Sequence, residues 1–155
     1  MATMEERMLE QASELVERYP RSSAAKRRAV SSAYYAAFHW LLWTCARTVL
    51  PEAGSESADF ERAYRALDHG TLKNAFAGGS LKKAAALGAI GTDFVQLQEA
   101  RIKADYSPPR HNLFALAEVK EHLTRARTII DGLTALNDLD RQTLAINLLF
   151  PSRKK

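Results

Sequence analysis

Two sets of residues in this chain combine types and spacings that suit the handling of a phosphate. Arg28, Ser32, Tyr35 and His39 recur at i, i+4, i+7 and i+11. On a helix at 100° per residue they line up as one narrow polar stripe. Arg101 and Asp105 stand at i, i+4 on a second segment, close enough to pair along a helix. A guanidinium offers parallel donors to a phosphate, hydroxyls add further donors, and an imidazole carries protons near neutral pH. Arg101 set against Ser32, Tyr35 and His39 would therefore hold a phosphate and move a proton beside it. The competing reading is an internal hydrogen-bond network, with Arg101 and Asp105 as a plain intrahelical ion pair worth roughly 0.2–0.5 kcal/mol.

The elements that must position these groups follow from the flanking residues. Around the stripe, Val30, Ala33, Tyr34, Ala37, Leu41, Thr44 and Cys45 form a broad apolar face on the opposite side. Leu42 and Ala46 continue the polar stripe as apolar residues, so the polar line runs out halfway along the helix. A helix of this pattern is expected to be covered on both sides, and its polar groups then need partners. An unpaired buried donor or acceptor costs roughly 1–3 kcal/mol. On the second segment Phe94, Leu97, Gln98, Arg101 and Asp105 share a face, which predicts a partly buried Arg101.

Composition narrows the classes of chemistry. A chain of 155 residues is expected to form one domain over 1–150, followed by a basic tail over 151–155. The lone Cys45 forms no intramolecular disulfide, falls on the apolar face and fits a reducing, cytoplasmic setting. The apolar run near Trp40–Trp43 is far short of the about 20 residues a membrane span needs, and residues 1–11 are acidic and amphipathic rather than a signal peptide. There is no phosphate-binding glycine loop ending in Lys-Ser/Thr, no dinucleotide fingerprint and no pair of histidines at metal-binding spacing. No metal and no cofactor are expected. Gly78-Gly79 reads as a hinge, His111 as the first turn of a helix and His122 as a surface residue. The net charge of +4 is local: Arg21, Lys26, Arg27 and Arg28 crowd the start of the stripe helix, and Arg153-Lys154-Lys155 ends the chain. The first cluster suits either a solvated face or a contact with phosphate or an RNA backbone.

Taken in order, the pattern predicts helices throughout and no strand. The first spans Met4–Arg18, stopped by Tyr19-Pro20. The stripe helix starts at a Ser22 or Ser23 cap and runs to Val49 before Pro51. Further helices are predicted over 57–67, from a Thr71 cap to 76, over 81–87, from a Thr92 cap to 105 or 106, over 111–136 and from 138 or 140 to 150. His69-Gly70-Thr71 reads as a turn. The fold class is all-α, an up-and-down bundle of four to five main helices plus short ones. Phe38, Trp40, Leu42 and Trp43 leave the stripe helix apolar on so many sides that a homodimer is expected.

The segments Lys26-Arg27-Arg28-Ala29-Val30-Ser31-Ser32-Ala33-Tyr34-Tyr35-Ala36-Ala37-Phe38-His39 and Phe94-Val95-Gln96-Leu97-Gln98-Glu99-Ala100-Arg101-Ile102-Lys103-Ala104-Asp105-Tyr106 together resemble the HEPN superfamily. More closely they resemble its small stand-alone bacterial members, which also share a His-Gly turn like His69-Gly70. The resemblance implies a compact, usually dimeric helical bundle directed at RNA or nucleotides. It implies either a metal-independent ribonuclease of toxin–antitoxin or phage-defence systems, or a non-catalytic binding module or partner of a minimal nucleotidyltransferase. Catalytic members follow an Arg, after four to six residues, with a His. Here four residues separate Arg101 from Tyr106, so a tyrosine stands where that histidine would be. A phenol with a pKa near 10 is a poor base at neutral pH, which leaves Asp105 or His39 to supply the function. Arg62 and His69 also satisfy the spacing, a match of a kind expected by chance. The residues carried forward are Arg101, His39, Asp105 and Tyr106 for catalysis, and Arg28, Ser32, Tyr35 and His69 for binding.

Overall fold

The computed structural model describes residues 1–152, and the tail residues Arg153-Lys154-Lys155 lie outside them. Among the described residues there are eight α-helices and no strand: α1 (Met4–Arg18), α2 (Ser23–Val49), α3 (Ala58–Tyr64), α4 (His69–Ala77), α5 (Gly79–Lys82), α6 (Ala85–Tyr106), α7 (Leu116–Ala135) and α8 (Asp138–Leu149). The protein is all-α. The chain divides into two compact units, one made of Met1–His39 with Asp93–Ile130, the other of Trp40–Thr92 with the residues from Asp131 onward.

The first unit is a bundle of α1, the first part of α2, the second part of α6 and most of α7. A capping box starts α1: the Thr3 hydroxyl accepts from the Glu6 amide at 3.2 Å and the Glu6 carboxylate accepts from the Thr3 amide at 2.8 Å. Ala12 and Val16 of α1, Ala29 and Val30 of α2, Ala100 and Ala104 of α6, and Phe114 and Val119 make one core. Alanines on α1, α2 and α6 in this core let the helix backbones approach closely, and Phe114 with Leu113, Leu116 and Leu123 packs against them. Arg27 fastens the end of α6 to the start of α2. Its Nε donates to the Ala104 carbonyl at 2.6 Å and its Nη2 to the Ser107 carbonyl at 2.6 Å, with a longer Nη1 bond to Pro108. Those carbonyls are the ones a helix leaves without intrahelical partners at its C-terminus. Ser23 adds a hydroxyl bond to the Arg110 carbonyl at 3.1 Å, which ties down the loop after Pro108-Pro109.

The second unit holds the rest of α2, the start of α6, the end of α7 and the short helices, with α4, α5 and α8 packed on one another. Arg47 plays a part like that of Arg27: its guanidinium donates to the Ala53 carbonyl at 2.6 Å and lies over the rings of Trp43 and Phe60. Gly91 is a real steric requirement, because a Cβ there would sit 2.5 Å from the Phe76 ring.

Several boundaries differ from the sequence expectation. The helix predicted over 57–67 is only Ala58–Tyr64. The cap of α4 is Asp68, whose carboxylate accepts from the Thr71 amide at 2.7 Å, so His69-Gly70-Thr71 is the first helical turn rather than a free turn. Thr92 caps nothing: α6 starts at Ala85 and passes through it, its hydroxyl donating to the Gly88 carbonyl one turn back. Helix α7 begins at Leu116 instead of 111, because Asn112 takes a left-handed conformation with φ 59°. His111 is therefore a loop residue. His122 is buried, not on the surface. Cys45 is a core thiol as expected, and burial pushes it up to about 12. Of the four residues that argued for a dimer seam, Phe38 and Leu42 are buried within the single chain, and Trp40 and Trp43 are half-buried.

Candidate functional site

Within the first unit, α2 brings Tyr34 and Tyr35 against Arg101 of α6. Tyr34 is wholly buried in a run of alanines, stacked on Phe38 with ring centroids 5.7 Å apart and edge-on to Tyr35 at 5.3 Å. The Arg101 guanidinium lies over both tyrosines, 5.0 Å from the Tyr34 centroid and 5.8 Å from that of Tyr35. It also shares a hydrogen bond with the Tyr34 hydroxyl. Burial pushes the Tyr34 phenol well above its ordinary range despite the opposing pull of Arg101, so the phenol stays neutral.

Arg101 is only 6% exposed. Its carboxylate partner, Asp105 one turn on, is 3.8 Å from Nη1, which is an ion pair too long for a hydrogen bond. Its Nε is buried with no hydrogen-bond partner. A desolvated guanidinium thus rests on two aromatic faces, one phenol and one distant carboxylate. Cation–π contact contributes up to about 2 kcal/mol when desolvated, whereas removing a charge from water costs several kcal/mol. The imbalance leaves the cation attractive to an anion.

The register of α2 and α6 places the remaining stripe residues. Arg27 meets Ala104 and Tyr34–Tyr35 meet Arg101, so the two segments run antiparallel. His39, four residues past Tyr35, falls about 6 Å further along α2. It is half-buried, with its ring edge-on to Phe38 at 6.4 Å. Ser32 is half-buried and Arg28 is exposed, so the stripe grades from solvent at Arg28 into the interior beyond His39. Tyr106, five residues after Arg101, is turned about 140° away around α6 and is 74% exposed. His69 begins α4 in the second unit.

Sequence reasoning passed over two groups. Tyr34 was assigned only to the apolar face, yet its ring and hydroxyl hold Arg101. The signal was its phenol, a polar handle in a fully apolar setting. The second group centres on His122, only 8% exposed. Arg125 Nη1 donates to His122 Nδ1 at 2.9 Å, Arg125 Nε faces Asp93 at 3.5 Å, and His122 Nε2 lies 4.0 Å from Glu118. Since arginine only donates, Nδ1 accepts and the ring is neutral with its proton on Nε2. Burial first, and Arg125 second, hold this imidazole below its ordinary pKa.

Among the described residues no three His, Cys, Asp or Glu side chains are placed to hold a metal ion, and no helix is long and apolar enough to cross a membrane. Comparison with family models, with curated proteins and with solved structures returns no match to this chain.

Proposed function

We propose that this protein is an RNA- or nucleotide-directed protein of HEPN type, with Arg101 as the group that engages a phosphate. The observation carrying this reading is a buried guanidinium held on the Tyr34 and Tyr35 rings, with Nε unpaired and its carboxylate at 3.8 Å. The two motif segments that resemble the family lie on α2 and α6, which meet at this arginine.

In the catalytic form of the reading, the 2′-hydroxyl of RNA attacks the adjacent phosphorus. Arg101 balances the negative charge of the phosphorane, and the 5′-oxygen departs to leave a cyclic phosphate. His39 takes the hydroxyl proton and returns it to the departing 5′-oxygen, and Asp105 orients the guanidinium. The reaction needs no metal from these residues, so it survives a chelator, and deoxy substrates are inert. Arg101→Ala should slow cleavage by 100-fold or more, the about 3 kcal/mol typical of such electrostatic stabilisers. His39→Ala should slow it by roughly 100-fold, and Tyr106→Phe only slightly.

One observation favours a second reading. The residue at the family's histidine position is Tyr106, exposed and turned away from Arg101, which suits a non-catalytic module that binds RNA, a nucleotide or a nucleotidyltransferase-type partner protein. Incubating total RNA with the wild type and the three variants in EDTA decides between them. Cleavage lost in Arg101→Ala supports the nuclease, and cleavage undiminished in that variant rejects the site. Binding without cleavage supports the module. Light scattering at tens of micromolar tests the homodimer that the HEPN resemblance implies.

A further inference from the structure

A groove of about 660 Å³ runs between the first turns of α2 and the loop that follows α6. Ser23, Arg28 and Ser31 of α2 line it, as do Arg110 and His111 of the loop and Asp105 of α6. Asp105, 3.8 Å from the Arg101 guanidinium, is the one lining residue that also belongs to the candidate site; Arg101 itself does not line the groove.

The cations of this groove differ in what occupies them. Arg27 is committed to three backbone carbonyls, and that bracing holds the far wall against α2. Ser23 secures the same wall through the Arg110 carbonyl. Arg28 and Arg110 are exposed, and among the described residues neither side chain has a hydrogen bond or ion pair. The scaffold is therefore braced by one arginine while two others stand free, one on α2 and one on the loop. The single carboxylate does not neutralise them. Cations on both walls of an open groove suit a linear chain of phosphates better than one compact anion, which needs donors converging on a point.

We propose that this groove binds a linear phosphate chain, the backbone of single-stranded RNA or a polyphosphate, through Arg28 and Arg110, and brings it to Asp105, the neighbour of Arg101. The inference extends the RNA-directed reading above and rests on it for the RNA case. The same chemistry covers a polyphosphate without it.

The test is fluorescence anisotropy with a labelled short oligouridylate and, separately, a labelled linear polyphosphate, titrated between roughly 50 and 200 mM salt. The wild type should bind both. Arg28→Gln with Arg110→Gln should flatten the salt dependence of log K by about 1.4, two contacts at about 0.7 each for a single strand, and weaken binding about tenfold at intermediate salt. Because both side chains lack partners, thermal melting should not move. As a gain-of-function control, Ala24→Arg adds a cation to the exposed wall and should steepen the slope by about 0.7. RNA binding that is lost in Arg101→Ala yet keeps its slope in the double variant would overturn the groove and leave the proposed function standing. Polyphosphate binding that follows the groove charges, with no RNA binding, would uphold the groove and remove the RNA reading. Binding of neither probe would overturn the groove outright.

Discussion

The first unit contains two arginine centres built from the same kinds of residue and finished differently. At the His122 centre, Arg125 has a short bond to an imidazole and a carboxylate on its other edge, and Glu118 faces the remaining ring nitrogen. Arg125 has an acceptor on each of these edges, although Glu118, at 4.0 Å, is no nearer to the ring than Asp105 is to Arg101. At the Arg101 centre the guanidinium is more deeply buried, yet beyond the neutral Tyr34 phenol it has aromatic faces, its Nε has no acceptor, and its carboxylate is out of hydrogen-bond range. Arg27 and Arg47, with their carbonyl partners, side with Arg125. A buried arginine with fewer acceptors than the other three is the one that the proposed function assigns to an outside anion. The contrast separates arginines whose partners hold the fold from the one that the proposed function assigns to a phosphate.

The contrast breaks most readily at Arg27 and Arg125. Arg27→Met should cost about 3 kcal/mol of unfolding free energy, because two short charged hydrogen bonds vanish and the last carbonyls of α6 lose their donors. Urea denaturation measures it, and a change within ±0.5 kcal/mol would remove Arg27 from the structural class. Arg125→Met should cost about 2 kcal/mol by the same measurement, since it leaves His122 Nδ1 without a donor and Asp93 without a counter-charge.

Next in size is a pH effect specific to the His122 centre. The folded protein holds His122 below its unfolded pKa of 6.5, so the unfolded chain takes up the proton first as pH falls. Stability is full above about 6.5 and declines through the interval between the unfolded and folded values, by no more than about 1.4 kcal/mol per pH unit. Below the folded value this contribution is gone and the decline from this residue ends. Denaturation midpoints between pH 8 and pH 5 should show the fall, and His122→Phe should flatten it. A flat profile in the wild type would mean that burial and Arg125 do not hold the ring below its ordinary pKa.

Much of this arrangement was legible in the residues themselves. The polar stripe of Arg28, Ser32, Tyr35 and His39 and the apolar neighbours of Arg101 were enough to expect two covered helices and a sheltered arginine. That much depends on helical periodicity, which a sequence displays directly. The role of Tyr34 was hidden because a residue counted as core by spacing can still turn a hydroxyl to a partner 67 positions away. His122 was missed for a related reason: its helix neighbours Glu118, Glu121 and Arg125 look like a solvated face, and only Phe114, edge-on at 6.3 Å, shows that the ring is packed inside. The start of α6 was misplaced because Thr92 has the composition of a cap, whereas its hydroxyl is satisfied equally well by a carbonyl one turn back. Local chemistry of that kind has two solutions, and packing selects one.

The most direct test of the central claim is the paired measurement of folding stability and RNA binding in Arg101→Met. Methionine fills a similar shape without charge, and because Asp105 is partly exposed and 3.8 Å away, removing the guanidinium leaves no buried charge uncompensated. The expected result is an unfolding free energy equal to or above that of the wild type, together with loss of RNA binding or cleavage. A variant destabilised by more than about 2 kcal/mol that still handles RNA as the wild type does would contradict it, and would place Arg101 beside Arg27 among the arginines that hold the fold.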